Sequence, residues 1–403
     1  MSTGEKGDGK MDTMVQARGI GEWLTEVRRE IHRSPGLDFD LEQTASTVER
    51  ELDSMGVLHR RFAGTGVGAW IEGTGPGPTV VIRADMDALA IQEETGLTFS
   101  SEYPGRMHAC GHDGHTACAL GAAKILSARK DFRGKVIFAF QPAEETSGGA
   151  KPMIDDGLLE GENVIAALAL HVNPSLPTGT IGVNPGKAMA ASDMFDLVIR
   201  GEGCHGAEPH RGVDALAIAC QTVTALQQIV SRRTDPVDSA VLTVGTIHGG
   251  RGRNVVASEI RMEGIIRTVD RELRERLRTE VRTVAEEVPR AMGAHGEISF
   301  VQGYPPLIND PKVCDVVSSC AREILGDRGV VPIDRPSMGV DDFAYFAELF
   351  PSCYFTLGIE DRTKGRAAPL HSPYFDLDEG ALPIGAALLA KATVRLLSEG
   401  LPH

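Results

Sequence analysis

The spacing of apolar residues changes several times along this chain, and each change marks an element. Over residues 12–56 the spacing is helical. Trp23, Val27 and Ile31 recur every fourth residue, and a second run of Ala45, Val48, Leu52 and Met55 is stopped by Gly56. Four short apolar runs follow at 79–83, 135–140, 164–170 and 352–357, each passing into polar residues or a glycine-containing loop. Continuous rather than alternating apolar character marks strands covered on both faces. Between the first two runs, residues 115–128 place Leu120, Ala123 and Leu126 on one helical face. Such alternation of strand and helix predicts an α/β domain around a mostly parallel sheet.

The middle of the chain reads differently. Residues 194–199 alternate, with Phe195, Leu197 and Ile199 on one face. Residues 212–231 return to helical spacing through Leu216, Ala219, Val223, Leu226 and Val230. Two alternating strands, about 240–247 and 259–268, precede a helix over 270–292 carrying Leu273, Leu277, Val281, Val284 and Val288, and a short strand near 297–301 closes the set. The order β-α-β-β-α-β is that of the ferredoxin-like split βαβ sandwich. The expected organisation is a discontinuous larger domain, 1–190 and 305–403, with a small domain inserted at 191–304. Tyr304-Pro305-Pro306 is the expected return linker.

Length and charge narrow the class. At ~100–200 residues per domain, 403 residues allow two or three domains. Lys+Arg of 41 against Asp+Glu of 56 gives a formal charge of −15, which argues against nucleic acid and anionic membranes as partners. A small-molecule partner stays open, because a local arginine outweighs a global charge. No run reaches the ~18 apolar residues of a membrane span. The first 20 residues lack the apolar run of a signal peptide and read as a flexible polar tail. Seven dispersed cysteines form no disulfide framework, so the expected location is the reducing cytoplasm.

Candidate chemistry gathers at the ends of the apolar runs. M-H-A-C-G-H-D-G-H (107–115) packs His108, Cys110, His112, Asp113 and His115 into nine residues. Q-P-A-E-E (141–145) pairs Glu144 with Glu145, His171 follows the third run, and His371 lies between prolines in P-L-H-S-P-Y (369–374). Asp85 and Asp87 form a weaker group. In an open α/β sheet, ligands bind beyond the carboxyl ends of the strands. A mixed N, S and O donor set converging there suits zinc, manganese or another first-row ion, and more donors than one tetrahedral ion needs suggest two ions. Such a site fits hydrolysis, with one glutamate coordinating and its neighbour taking a proton from water. Two other readings stay open: a hydrolase with Cys110 as nucleophile and His112 or His115 as base, and a non-catalytic metal-binding protein. Cys118, Cys220, Cys314, Cys320 and Cys353 are expected to be buried small hydrophobes, and His32, His59 and His295 to lie on the surface.

These motifs resemble the M20 metallopeptidase superfamily. R-A-D-M-D-A-L (83–89), the 107–115 and 141–145 runs, G-G-A-K-P-M-I-D-D-G-L-L (148–159), A-L-H-V (169–172), M-G-V-D-D-F-A-Y-F (338–346) and L-H-S-P-Y-F (370–375) carry the match. They look most like its amidohydrolase branch of N-acyl-amino-acid aminoacylases, hippurate hydrolases and indole-acetyl-amino-acid hydrolases. The resemblance implies cleavage of an N-acyl amino acid by water activated at two divalent ions per subunit. The ions would be zinc or manganese, with cobalt or nickel as further options. By motif, Cys110, His112, Glu145, His171 and His371 would be ligands, Glu144 the general base and Asp87 a supporting catalytic residue. Asp85 stands where other branches have a metal-binding histidine. The inserted domain resembles a lid and dimerisation domain, which implies a homodimer. By the same motif match, His205 would stabilise the oxyanion, from its own or the partner subunit, and Asn254 and Arg267 would contact substrate. A carboxypeptidase or dipeptidase of the same superfamily is the alternative activity. Departures fall at Ala90, Cys204, Ala257 and Asp341 and at the charged Arg251 and Arg253, none of them a proposed ligand.

Overall fold

The computed structural model describes residues 12–361, 363 and 367–402. Of the expected polar tail, residues 1–11 lie outside the described residues. Thr13–Gly19 (α1) is helical, capped by the Asp12 carboxylate, which accepts from the backbone N–H of Met14 and Val15.

The chain continues through α2 (Gly21–Arg33), α3 (Glu42–Ser54), β1 (Leu58–Phe62), β2 (Gly66–Glu72), β3 (Thr79–Asp85), α4 (His112–Arg129), β4 (Lys135–Gln141) and α5 (Ala150–Asp155). Next come β5 (Val164–Pro177), β6 (Ile181–Val183), β7 (Gly186–Met189), β8 (Ala191–Arg200), α6 (Ala215–Gln228), β9 (Ala240–Gly249), β10 (Glu259–Thr268), α7 (Arg271–Ala291) and β11 (His295–Gln302). The last elements are β12 (Leu307–Asn309), α8 (Pro311–Leu325), β13 (Val330–Pro332), α9 (Ala344–Leu349), β14 (Ser352–Glu360) and α10 (Leu382–Glu399).

Two compact units result. The first comprises residues to Gly186, Asn309–Asp334 and those from Phe346 on; the second is Lys187–Ile308 with Arg335–Tyr345. That last stretch, left with the larger domain on sequence pattern, belongs to the second unit through polar contacts. Ala190 N–H donates to Gly339 O (2.9 Å), Ser337 N–H to Ala188 O (2.8 Å), and Arg267 Nη1 to Met338 O (2.7 Å).

The first unit is built on an eight-stranded sheet of order β1-β2-β4-β3-β5-β14-β6-β13. Its centre, β4-β3-β5-β14, is parallel, whereas β1-β2, β2-β4 and β14-β6 pair antiparallel. Every residue of β3 is buried, as a strand covered on both faces requires. Helix α4 is buried nearly all round because small residues let neighbours approach. A Cβ at Gly121 would meet Leu24 Cδ2 at 2.7 Å and Ala386 Cβ at 2.8 Å. The segment Glu379–Glu399, which includes α10, has the length and apolar composition of a membrane span, but most of its apolar stretch is buried inside the protein, the state of a core helix.

The second unit is a four-stranded antiparallel sheet of order β11-β8-β10-β9, with α6 and α7 packed on it. Phe195, Leu197, Ile199, Ile260, Met262 and Ile266 from the sheet meet Ile218, Leu226, Leu273, Leu277 and Val281 from the helices. Arg274 pins α7 to the start of β8, donating to both Asp193 carboxylate oxygens (2.8 and 2.7 Å). Cys220 departs from expectation: it is exposed, on the outer face of α6.

Candidate metal centre

Strand ends in the first unit bring the 107–115 run together with the acidic and histidine groups. Asp85 closes β3 and Asp87 lies two residues beyond. Glu144 and Glu145 follow β4 by three and four residues, and His112 is the first residue of α4. His171 does not end its strand as the apolar run suggested: β5 continues to Pro177, paired with β14. His371 lies in the loop before α10, where its N–H donates to Ala109 O (2.8 Å). Two of the five non-glycine residues with positive φ among the described residues lie here. His371 (φ 63°) and Ala143 (φ 58°) are non-glycine residues in the left-handed region, which over-determined functional sites retain. Gly111 (φ 84°) fills the same region at the start of α4, where a Cβ would come within 2.5 Å of Val172 Cγ2.

The side chains converge at mixed donors. Sγ of Cys110 lies 3.4 Å from Nε2 of His171. Oε1 of Glu145 lies 3.4 Å from His371 Nε2 and 3.8 Å from His112 Nε2. Donor atoms of Cys110, His112 and His171 fall within 4.8 Å of one another, as do those of Cys110, Glu145 and His371, and those of His112, Glu144 and Glu145. His371 is half-exposed, whereas Cys110, His112, Glu144 and His171 are buried. Supporting bonds aim the donors. Asp87 Oδ2 accepts from the Glu145 N–H (3.0 Å), and its Oδ1 lies 3.3 Å from His112 Nδ1 without hydrogen-bond geometry. His171 Nδ1 faces the Val172 carbonyl (2.8 Å), which can only accept, so the proton sits on Nδ1 and the Nε2 lone pair faces the cluster.

Unsatisfied atoms test whether this set fits a metal. Among the described residues, both ring nitrogens of the buried His112, Oε1 of Glu145 and Oδ1 of Asp87 make no well-formed hydrogen bond. Buried polar atoms are nearly always paired, and a thiol, imidazoles and a carboxylate left facing one another are what a first-row cation takes. Electrostatics agrees with that reading at His171 and Glu145, whereas at His112 burial is outweighed by Asp85 and then Cys110, which hold the ring well above the usual histidine range, so a cation there would displace a proton. Burial first, with the neighbouring His112 adding to it, lowers His171 to about 4, so it is neutral at pH 7 as a ligand must be. Glu145 shifts down despite its burial, held ionised by His371 and then His112. Burial pushes the Cys110 thiol well above its usual range, so a cation is needed to hold it as thiolate.

Sequence reasoning missed a buried charge network beside this site. His32, expected on the surface, is fully buried: Nδ1 lies 2.8 Å from Asp113 Oδ2 and Nε2 3.4 Å from Glu93 Oε1. Arg28, also fully buried, donates to Asp113 Oδ2 (2.7 Å), Asp376 Oδ1 (2.9 Å) and Glu379 Oε1 (3.1 Å). The signal was present: Leu24, Val27 and Ile31 make the buried stripe of α2, and Arg28 and His32 extend it. Burial alone would lower the His32 pKa, but Asp113 and then Glu93 outweigh it and raise it. The folded state therefore favours protonated His32. Its contribution is full below ~6.5, the ordinary histidine value, and is lost as pH rises through the raised value. Thermal midpoints should fall over that window, and His32→Gln should flatten the decline. An unchanged slope in the variant would contradict this assignment.

The second unit carries the remaining candidates. His205 and Asn254 are exposed on paired loops: His205 bridges to Val255, and Gly206 N–H donates to Asn254 O (2.7 Å). Arg267 on β10 is half-buried, with Nη1 on Met338 O and Nε unpartnered.

The sequence and the fold are matched by known proteins. The model of peptidase family M20/M25/M40 aligns with residues 81–395, a span holding every proposed ligand. This chain belongs to that family, in its amidohydrolase branch. It is 38% identical to the N-acetyl-L-cysteine deacetylase of Bacillus subtilis, over 95% of this chain and 90% of that one. It is 37% identical to thermostable carboxypeptidase 1 of Saccharolobus solfataricus, over 93% of this chain and 96% of that one. The crystal structure of Bacillus subtilis YXEP, described as a dinuclear metal binding peptidase of the M20 family, superposes with a TM-score of 0.82 at 33% identity, covering 94% of this chain and 99% of that one. The chain is thus an M20-family hydrolase.

Proposed function

We propose that this hydrolase cleaves the amide bond of an N-acyl amino acid, releasing a carboxylate and a free amino acid, with two divalent ions held by Cys110, His112, Glu145, His171 and His371. The observation that carries this reading is the set of buried donors left without hydrogen-bond partners around His112 and Glu145. The dinuclear YXEP structure supports two ions, and the deacetylase relative supports an N-acyl amino acid. Zinc or manganese suits the donors.

Ions bound there would polarise the scissile carbonyl and acidify a water. The protein's part is proton handling and alignment. Glu144, whose carboxylate shares the cluster with His112 and Glu145, takes the proton of the attacking water. It then delivers that proton to the amide nitrogen as the C–N bond breaks, so the amine leaves neutral. Asp87 keeps Glu145 turned toward the histidines by holding its backbone N–H. A Cys110 nucleophile is disfavoured, because burial keeps the thiol protonated.

Substrate profiling separates this activity from the alternative suggested by the carboxypeptidase relative. The metal-loaded protein should release amino acid from N-acetyl amino acids at a kcat/KM at least tenfold above that for unblocked dipeptides. The reverse order would assign it to peptide cleavage.

A further inference from the structure

We propose that Asp85 and His115 are a positioning pair that aims His171, and are not metal ligands; this rests on the metal-centre reading above. Proximity alone would place both in the coordination sphere, because donor atoms of Asp85, His112 and His115 also fall within 4.8 Å of one another and all three residues are buried. Counting protons and lone pairs separates them. Nε2 of His115 accepts the Val172 N–H at 2.8 Å. A backbone N–H can only donate, so Nε2 is the unprotonated nitrogen and its lone pair is engaged. The ring proton then sits on Nδ1, 2.6 Å from Asp85 Oδ1. The other Asp85 oxygen accepts from Arg83 Nη1 at 2.6 Å. His115 has no lone pair left for a cation, and each Asp85 oxygen already accepts a short hydrogen bond, whereas neither nitrogen of His112 makes a well-formed hydrogen bond among the described residues.

The backbone explains why such a pair is needed. Pairing of β5 with β3 stops at Arg83–Ala169, although β5 runs on to Pro177. Beyond that point a β5 N–H facing β3 has no strand partner, and His115 takes the one at Val172. The carbonyl of the same residue meets Nδ1 of His171. Val172 is thereby held at both ends, by His115 at its N–H and by His171 at its C=O. The connected path Arg83–Asp85–His115–Val172–His171 leaves Nε2 of His171 facing Cys110 Sγ at 3.4 Å. Removing His115 frees the Val172 peptide to rotate, and the orientation of His171 goes with it. Partners that orient a ligand typically govern 10–100-fold in metal affinity.

The test is zinc binding by the full chain, read by competition with a chromophoric chelator. The wild type should take up two zinc ions. His115→Ala should still take up two at saturation, with the weaker-held ion bound ~10–100-fold less tightly. His115→Gln offers a carbonyl oxygen to the Val172 N–H and an amide N–H to Asp85, and should recover most of that loss. Saturation at one ion in His115→Ala would make His115 a ligand and overturn the proposal, as would unchanged affinity. A wild type that binds no zinc would instead sink the underlying metal-centre reading. A second measurement avoids variants altogether. In protein labelled with ¹⁵N-histidine, His115 should show one tautomer, protonated at Nδ1, in both metal-free and zinc-loaded samples. A zinc-induced change at its Nε2 would refute the positioning role.

Discussion

Glu144→Gln should lower kcat by about 10²–10⁴ while leaving the metal content unchanged. The substitution keeps size and shape and removes only the ability to accept a proton. Glu144 and Glu145 are neighbours that differ in geometry. Glu145 Oε1 lies 3.4 Å from His371 and 3.8 Å from His112, and its backbone is held by Asp87. It also joins Cys110 and His371 in a second donor cluster, which Glu144 does not. Glu145 is therefore proposed as the ligand and Glu144 as the base beside it. Metal analysis run alongside single-turnover hydrolysis checks the assignment. Retained turnover would remove Glu144 from catalysis, and loss of metal would mean that the two glutamates exchange roles.

Arg28→Ala should destabilise the first unit by about 3–5 kcal/mol, the cost of removing one partner from a buried ion pair. The side chain is fully buried and engages Asp113, Asp376 and Glu379, the first of which is itself fully buried. Burial opposes the guanidinium charge, and the three carboxylates more than offset it. With Arg28 removed, Asp113 keeps His32 as its partner but loses its nearest permanent charge. The effect extends to the metal centre through position, because Asp113 follows His112 in the first turn of α4. Arg50 provides the contrast. It pairs with Glu30 at 2.7 Å, but both side chains are about half exposed, so Arg50→Ala should cost ~1 kcal/mol or less. Urea denaturation of the three proteins gives the comparison, and equal midpoints would contradict the buried network's importance.

Legibility in the sequence followed the physics of each feature. Buried parallel strands need unbroken apolar runs, so β3, β4, β5 and β14 were visible, and alternation gave away β8 and β10. The edge strand β1 was not visible, because Leu58–Phe62 is mostly polar and only partly buried. The 107–115 cluster stood out by density alone. Arg28 and His32 did not, since a charged residue on an apolar stripe looks like an interruption until its partners are known, and those partners lie 61 to 351 residues away. Pattern also cannot reveal that Arg335–Tyr345 joins the second unit, where backbone hydrogen bonds decide the matter. The pairing of His115 with Val172 depends on where one strand outruns its neighbour, a register that composition does not carry.

The most direct test of the central claim is metal analysis coupled to hydrolysis of an N-acetyl amino acid. Protein purified without chelator should hold close to two zinc or manganese ions per chain. Dialysis against a chelator should remove both the ions and the release of free amino acid, and adding the ion back should restore both together. Full activity in protein stripped of divalent ions would contradict the account.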